Sequence, residues 1–235
     1  MADGESYEGR DLEALSDAPH YYRWIMSWFA PFVHGRVIEY GAGTGTFSAQ
    51  LRPHAQRLTL VEPSTNLHAT LRARFAADKA VEIVGATIED HLQQQASGTA
   101  DAAVMVNVLE HIEDDHAALS GLTRVLAPGG HVLIFVPALS LLMSQLDRDL
   151  GHFRRYHRKD LSQKMKDVGL DVLTCRYFDF TGVMPWLVIN RWMGRTALSP
   201  HMLRLYDRAV VPVARVVETA IPPPLGKNLV AIGRI

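Results

Sequence analysis

The sequence has a single cysteine, Cys175, among its 235 residues. One cysteine cannot form a disulfide within the chain, which fits a reducing compartment. Its neighbours Leu173 and Tyr177 indicate a strand, and we expect a buried structural thiol at this position. Long apolar runs are missing as well: no stretch of about 18 or more uncharged apolar residues occurs, and a membrane-spanning helix is therefore not expected.

Neither sign of charge dominates, because 24 basic side chains face 25 acidic ones. The chain therefore has no overall field that would attract nucleic acid or strongly acidic partners, and we expect no nucleic-acid binding. The first residues, MADGESYEGRDLEALSD, are acidic and polar, unlike the basic start and apolar core of a signal peptide. We expect a cytoplasmic protein in which residues 1 to about 14 form a frayed tail.

The most informative stretch is residues 36–63. A short apolar run leads into alternating glycines, a helical pattern follows, and a second apolar run ends at Glu62. Glycines allow a tight turn whose backbone amides approach a ligand, and the N-terminus of the next helix favours negative charge. The order of strand, turn, helix, strand and acid predicts a unit that binds a nucleoside-bearing ligand. The glycines of the turn are Gly41, Gly43 and Gly45.

Strands and helices alternate through most of the chain. The segment Asp101–Val106 is short and apolar enough for a strand buried on both faces, which indicates a parallel sheet. Regular alternation implies right-handed crossovers and a doubly wound α/β fold. Later strands are predicted at Val81–Val84, Asp101–Val106, His131–Val136, Asp171–Phe178 and Asn228–Ile232.

Two segments do not fit this alternation. Residues 138–156 contain the charged block DRDLGHFRRY, which is too polar for a core and too long for an ordinary connection, and we predict an active-site lid. Residues 179–225 form a predicted helical insert, rich in Trp and Met, that closes the cleft as a lid and substrate wall. Alternatively, residues 179–221 receive a lipid-like acceptor or rest on a membrane, with Arg191, Arg195 and Arg204 near the headgroups.

We expect one domain over residues 1–235. Its parts are a helical cap (1–35), a ligand-binding core (36–178), the insert (179–225) and a last strand (226–235).

The glycine turn also fits a nicotinamide-dependent oxidoreductase. The letters G-A-G-T-G-T nearly match G-x-G-x-x-G, and Glu62 lies about 20 residues onward, where a ribose-binding acid belongs. Thr46 replaces the third glycine, which weakens this alternative. Further motifs are needed to separate the two ligands.

Five motifs in order separate them: E-x-G-x-G-x-G, V-E-P, G-A-T-I-E-D, N-V-L-E-H-I and L-A-P-G-G-H-V-L-I. Together they resemble the class I S-adenosylmethionine-dependent methyltransferases over roughly residues 20–178. The resemblance implies a Rossmann-like seven-stranded sheet whose last strand is antiparallel. It also implies that the cofactor is S-adenosylmethionine and the released product S-adenosylhomocysteine.

The resemblance assigns cofactor contacts to particular positions. The glycine turn would face the methionine part, Glu62 would bind the ribose, and the G-A-T-I motif would flank the adenine. Aromatic residues of the N-terminal helix would close over the site. The implied cofactor-binding residues are Tyr21, Trp24, Gly41, Gly43, Gly45, Glu62, Pro63, Ala86, Thr87, Ile88, Asn107, Val108 and Leu109.

The methyl group of a sulfonium is already an activated electrophile, so few catalytic groups are needed for its transfer. Rate comes mainly from alignment with the nucleophile and from removal of the nucleophile's proton. His111 follows the fourth strand, and a near-neutral pKa suits a general base. The alternative is a histidine that caps or orients the following helix.

His152 is the second candidate base, in the predicted lid. Its surroundings resemble a G-H-x-R-R-Y signature of a bacterial branch of the family, which implies that they face the acceptor. Arg154 and Tyr156 would then fix an anionic or hydroxylated small molecule through directional hydrogen bonds. A solvated charged loop is the alternative.

Two other kinds of site are not expected. Acids lie between His111 and His116, but acids before a helix are explained by the helix dipole and N-capping, and we predict no metal there. Basic residues within 154–159 alternate with aromatic ones and could contact RNA phosphates, yet no wider basic face accompanies them.

The sequence thus predicts methyl transfer to an oxygen, less favourably a nitrogen, of a small-molecule acceptor of apolar or glycan type. The alternatives are a nicotinamide-dependent oxidoreductase and a non-catalytic cofactor-binding or membrane-peripheral protein.

Overall fold

The computed structural model describes residues 18–194 and 199–235. The predicted tail of residues 1 to about 14, and Arg195, therefore lie outside the described residues.

Seven strands form one sheet in the order β3-β2-β1-β4-β5-β7-β6. Strands β1 to β5 are parallel, and β7 runs antiparallel to both β5 and β6. The prediction of a Rossmann-like, doubly wound sheet with an antiparallel last strand is confirmed. The strands are β1 (Arg36–Tyr40), β2 (Arg57–Val61), β3 (Val81–Val84), β4 (Ala100–Val106), β5 (Leu126–Pro137), β6 (Asp171–Phe178) and β7 (Asn228–Arg234).

Strand β5 begins earlier than the predicted His131. Its first residue, Leu126, pairs with Ala100, and the register between β4 and β5 shifts before Ala102 pairs with His131. Proline and glycines at 128–130 thus lie in an irregular stretch of strand and do not form a separate turn.

The sheet separates two apolar layers because successive side chains of a strand point to opposite faces. Val104 and Phe135 belong to one layer, whereas Met105 and Ile134 belong to the other. Both faces of the central strands are therefore buried, as expected for parallel strands covered by helices.

The helices flank this sheet. Pro31 does not end the first helix abruptly, because a 3₁₀ turn continues it over Ala30–Phe32. The helices are α1 (Pro19–Phe29), α2 (Ser48–Leu51), α3 (His68–Arg74), α4 (Ile88–Gln94), α5 (Asp115–Val125), α6 (Gln145–Asp149), α7 (Arg158–Asp167), α8 (Val183–Trp186), α9 (Pro200–Leu205) and α10 (Val211–Ala220). Short 3₁₀ turns lie at Thr65–Leu67, Leu109–His111 and Ser140–Leu142, and π-helical stretches at Leu187–Trp192 and Tyr206–Val210.

The insert is fixed to the N-terminal helix by a buried acid. Both carboxylate oxygens of Asp207 accept hydrogen bonds from the first backbone amides of α1, at 3.1 Å from His20 and 2.8 Å from Tyr21. Amides at a helix start have no partner within the helix, so Asp207 acts as a cap from far along the chain. In the described ranges, no helix is both long and apolar enough to cross a membrane.

Candidate functional site

A cavity of about 510 Å³ opens where the carboxyl ends of β1, β2 and β4 meet. Open parallel sheets bind ligands at this edge, where the strand order reverses. The predicted site residues that line the cavity are Tyr21, Gly41, Gly43, Glu62, Pro63, Ala86, Thr87, Ile88, Asn107, Val108, His111 and His152.

The turn after β1 needs glycine. Gly41 and Gly43 have φ values of 68° and 56°, in the left-handed region that side chains disfavour. A Cβ on Gly41 would lie 2.4 Å from Cγ2 of Val108. The turn after β1 and the loop after β4 therefore approach closely, and both contribute to the cavity wall.

Glu62 holds the glycine turn in place. Its Oε2 accepts a hydrogen bond from the backbone N–H of Gly43 at 2.7 Å, and its Oε1 accepts one from Ser64 at 2.9 Å. A carboxylate has about four acceptor positions, so these two bonds leave capacity for ligand hydroxyls. The acid that ends β2 thus links the turn to the ligand-binding wall.

Glu39 is a second buried acid in the wall. Burial raises its pKa to about 8, and the negative charge of Glu62 adds to the rise. Its Oε2 has no hydrogen-bond partner among the described residues. Glu39 is therefore mainly protonated at neutral pH, and a ligand that carries positive charge would favour its ionised form.

Glu110, His111 and His152, the Glu110 cluster, also line this cavity. The imidazole rings of the two histidines lie edge to face, with centroids 4.6 Å apart. Glu110 is fully buried, and neither of its carboxylate oxygens has a hydrogen-bond partner within the described ranges. Burial raises the pKa of Glu110 to about 7.

Asp147 orients His152. Its Oδ1 lies 3.0 Å from Nδ1 of His152, and Nε of Arg155 donates to the same oxygen at 2.9 Å. Although burial alone would raise it, contacts with His152 and Arg155 hold the pKa of Asp147 well below its usual range. The carboxylate therefore stays charged and fixes the imidazole.

His111 differs from His152 in its environment. Its side chain is exposed at the cleft, and partial desolvation together with the charge of His152 lowers the pKa of His111 to about 4. His111 is therefore neutral at physiological pH. It can accept a hydrogen bond, but it holds a proton weakly.

Three of the expected cofactor contacts lie elsewhere. Trp24 is buried in the core, with its ring 3.9 Å from that of Phe178 between centroids, and does not close over the cavity. Gly45 packs against helix α3, where an added Cβ would lie 2.9 Å from a Leu71 methyl carbon. Leu109 is fully buried in the opposite core layer. The three residues were expected to contact the cofactor because of their positions in the helix and the motifs. Such a position does not specify which side chains face the cleft.

The two expected acceptor contacts are also corrected. Nη1 of Arg154 pairs with Asp115 at 2.9 Å, and the buried hydroxyl of Tyr156 donates to the same carboxylate at 2.9 Å. Neither side chain lines the cavity. Arg155 lies there instead, because the signature places alternate residues on opposite sides of the chain.

The sequence did not identify several wall residues. Trp186 is one: it comes from the insert, and the guanidinium of Arg155 lies 4.8 Å from its ring centroid. Glu110 could have been noticed as an acid beside His111, but burial is not visible in the motif. Lys227 and Asn228 join the wall at the start of β7.

Asp114 and Cys175 have environments that indicate structural roles. Asp114 caps helix α5 by accepting a hydrogen bond from Ala117 at 2.9 Å, as the helix-dipole explanation predicted. Burial raises the pKa of the Cys175 thiol to about 11, so it is an unreactive group.

Comparison with known proteins agrees with this geometry. Residues 13–174, more than half of the chain, match the protein family described as Methyltransferase domain. The C-methyltransferase NovU of Streptomyces niveus is 28% identical over 152 residues, which cover 62% of this chain and 35% of NovU. Matches to the first curated relatives cover between 35% and 51% of those proteins.

Solved structures share the fold. An S-adenosylmethionine-dependent methyltransferase from Mesorhizobium loti superposes with a TM-score of 0.64 at 15% identity, covering 94% of this chain and 100% of that one. The N-methyltransferase NodS from Bradyrhizobium japonicum WM9, crystallised with S-adenosylhomocysteine, gives a TM-score of 0.60 at 17% identity and covers 97% and 93%.

Proposed function

The chain belongs to the methyltransferase domain family, and from that premise we propose that it transfers a methyl group from S-adenosylmethionine to an oxygen of a small-molecule acceptor. The observation that carries the proposal is a single cavity in which Glu62 holds the glycine turn and the Glu110 cluster completes the wall. The family favours this activity over a nicotinamide-dependent oxidoreductase.

The residues of the cavity fit this cofactor. The unpartnered Oε2 of Glu39 would face a ligand with a positive charge, which the sulfonium and the amino group supply. Glu62 would accept hydrogen bonds from the ribose, with Pro63 beside it, and Ala86, Thr87 and Ile88 would flank the adenine. When bound, S-adenosylmethionine supplies a methyl group on a positively charged sulfur, ready for attack by a nucleophile.

The remaining wall would receive the acceptor. His152 is oriented by Asp147, and His111 lies beside it, which supports a role for these two histidines in removing the acceptor's proton. Arg155, which lines the cavity, would face the substrate in place of Arg154. An oxygen acceptor is our choice because hydroxyl protons need such removal, although NovU and NodS are named for carbon and nitrogen acceptors.

Calorimetry with S-adenosylhomocysteine tests the proposal. We expect micromolar binding by the wild type, weakened at least tenfold by Glu62→Ala. Glu82→Ala is the matched control, because Glu82 is exposed on β3 away from the cavity and should leave affinity unchanged. Absence of binding by the wild type would sink the proposal, and so would a thermal-shift response to NAD alone.

A second proposal concerns the surface of the insert. Helix α10 and its C-cap residue expose Val213, Val216 and Ile221 at 63%, 71% and 69%. The exposed cations Arg208 and Arg215 lie on the same segment. Apolar side chains flanked by arginines suit an anionic lipid surface, from which an acceptor with a lipid tail could reach the cavity.

A further inference from the structure

We propose that the Glu110 cluster binds one divalent transition-metal ion of the Zn²⁺ type in the wall of the cavity. The inference rests on the proposed function, because it assigns a further ligand to the same site. The potential ligand atoms of Glu110, His111 and His152 all lie within 4.8 Å of one another. Two imidazoles and one carboxylate form a donor set that Zn²⁺ and related ions accept, with positions left for another ligand.

Glu110 is the strongest element of the site. Its side chain is fully buried, and both oxygens lack a hydrogen-bond partner within the described ranges. A buried carboxylate without a partner is costly. The nearby guanidinium of Arg155 directs its hydrogen bonds to Asp147 at 2.9 Å and to the carbonyl of Ala138 at 3.1 Å. A bound cation would supply the missing partner.

Both histidines are held as metal ligands usually are. Metal-binding imidazoles generally donate their second ring N–H to a carboxylate or a backbone carbonyl, which fixes the tautomer and the ring. Nδ1 of His152 lies 3.0 Å from Asp147, and His111 hydrogen-bonds to the backbone of Leu150. The second nitrogen of each ring could then bind an ion.

The ion would explain how the acceptor loses its proton. A hydroxyl bound to a divalent ion has a lowered pKa, and its proton can leave to water in the cavity. The histidines would then act as ligands and not as bases. In the opposite case, no ion binds, Glu110 keeps its proton near neutral pH, and His152 removes the acceptor's proton directly.

Titration of the 235-residue chain separates these cases. After treatment with a chelator and dialysis, the protein is titrated with ZnCl₂ by calorimetry and, separately, with Co²⁺ while visible absorption is recorded. We expect one equivalent bound with micromolar affinity or tighter, and at least tenfold weaker binding by Glu110→Gln and His152→Ala. Millimolar MgCl₂ should not compete, because Mg²⁺ prefers oxygen ligands.

His116→Ala is the matched control, because His116 is an exposed histidine of α5 outside the cavity wall. It should bind Zn²⁺ as the wild type does. Absence of saturable binding by the wild type, or unchanged affinity in both cluster variants, overturns the inference. If His152→Ala fails to fold by circular dichroism, Glu110→Gln and its Co²⁺ spectrum still decide. S-adenosylhomocysteine binding by the same metal-free samples shows whether the proposed function stands independently.

Discussion

Nδ1 of His152 lies 3.0 Å from Oδ1 of Asp147, and Nη2 of Arg155 lies 2.7 Å from the same oxygen. Asp147 and Arg155 are both buried, although the charged block that contains them was predicted to be a lid too polar for a core. Within the block, these two side chains form an ion pair packed against the cavity. Asp147 holds the wall residue His152 in place, and Arg155 itself lines the wall.

Replacing the acid should destabilise the fold. Asp147→Asn removes the charge that pairs with buried Arg155, and breaking such a pair lowers the free energy of unfolding by about 3–5 kcal/mol. Urea denaturation followed by circular dichroism measures the change. The control is Asp149→Asn in the same helix, where the side chain is exposed and the expected change is within about 0.5 kcal/mol. Equal midpoints for the two variants would contradict the structural role of the pair.

Trp24 should affect stability and not ligand binding. Its ring packs on Phe178 in the core, so Trp24→Ala should lower the free energy of unfolding by about 3–5 kcal/mol. The affinity for S-adenosylhomocysteine should stay within twofold of the wild type at a temperature where the variant is folded. Trp192→Ala is the control, because Trp192 is exposed, and its stability should not change. A large loss of affinity with little loss of stability would restore Trp24 to the site.

The strands were predictable because their signal is local. Runs such as Asp171–Phe178 are continuous in the sequence, and the observed strand has the same bounds. The glycine turn and Glu62 were predictable for a similar reason, since both occur in one short motif. Contacts across the chain were not: Asp207 caps helix α1 from a position 186 residues beyond Tyr21, and nothing near either residue indicates the pairing.

The direction in which each side chain points could not be predicted from the sequence either. The letters G-H-x-R-R-Y cover residues 151–156, but a sequence does not say which of Arg154 and Arg155 turns inward. The structure buries Arg155 against Asp147 and leaves Arg154 to pair with Asp115. Burial likewise distinguishes Glu110 from the exposed acid Glu113, although both lie within two residues of His111.

Glu39 should make stability depend on pH. Its pKa is about 8 in the folded chain, against an ordinary glutamate value of about 4.3 when unfolded. Between these values the folded chain binds more protons than the unfolded chain, so stability falls as pH rises. Glu39→Gln removes this proton and should raise the melting temperature relative to wild type increasingly from pH 5 to pH 8. Glu82→Gln, at an exposed position, should track the wild type. Parallel melting curves for Glu39→Gln and wild type would contradict the raised pKa.

The exposed face of α10 should bind anionic lipid. We expect the wild type to sediment with vesicles that contain phosphatidylserine, and less with phosphatidylcholine alone. The double substitution Val213→Glu and Val216→Glu places charge among exposed apolar side chains and should weaken binding at least tenfold. Arg215→Ala should lower the binding free energy by about 1 kcal/mol and reduce its salt dependence. Leu173→Glu, which changes an exposed apolar residue of β6, should have no effect. Equal sedimentation of the wild type with and without vesicles would contradict lipid binding by this face, because apolar side chains flanked by arginines should be retained on an anionic surface.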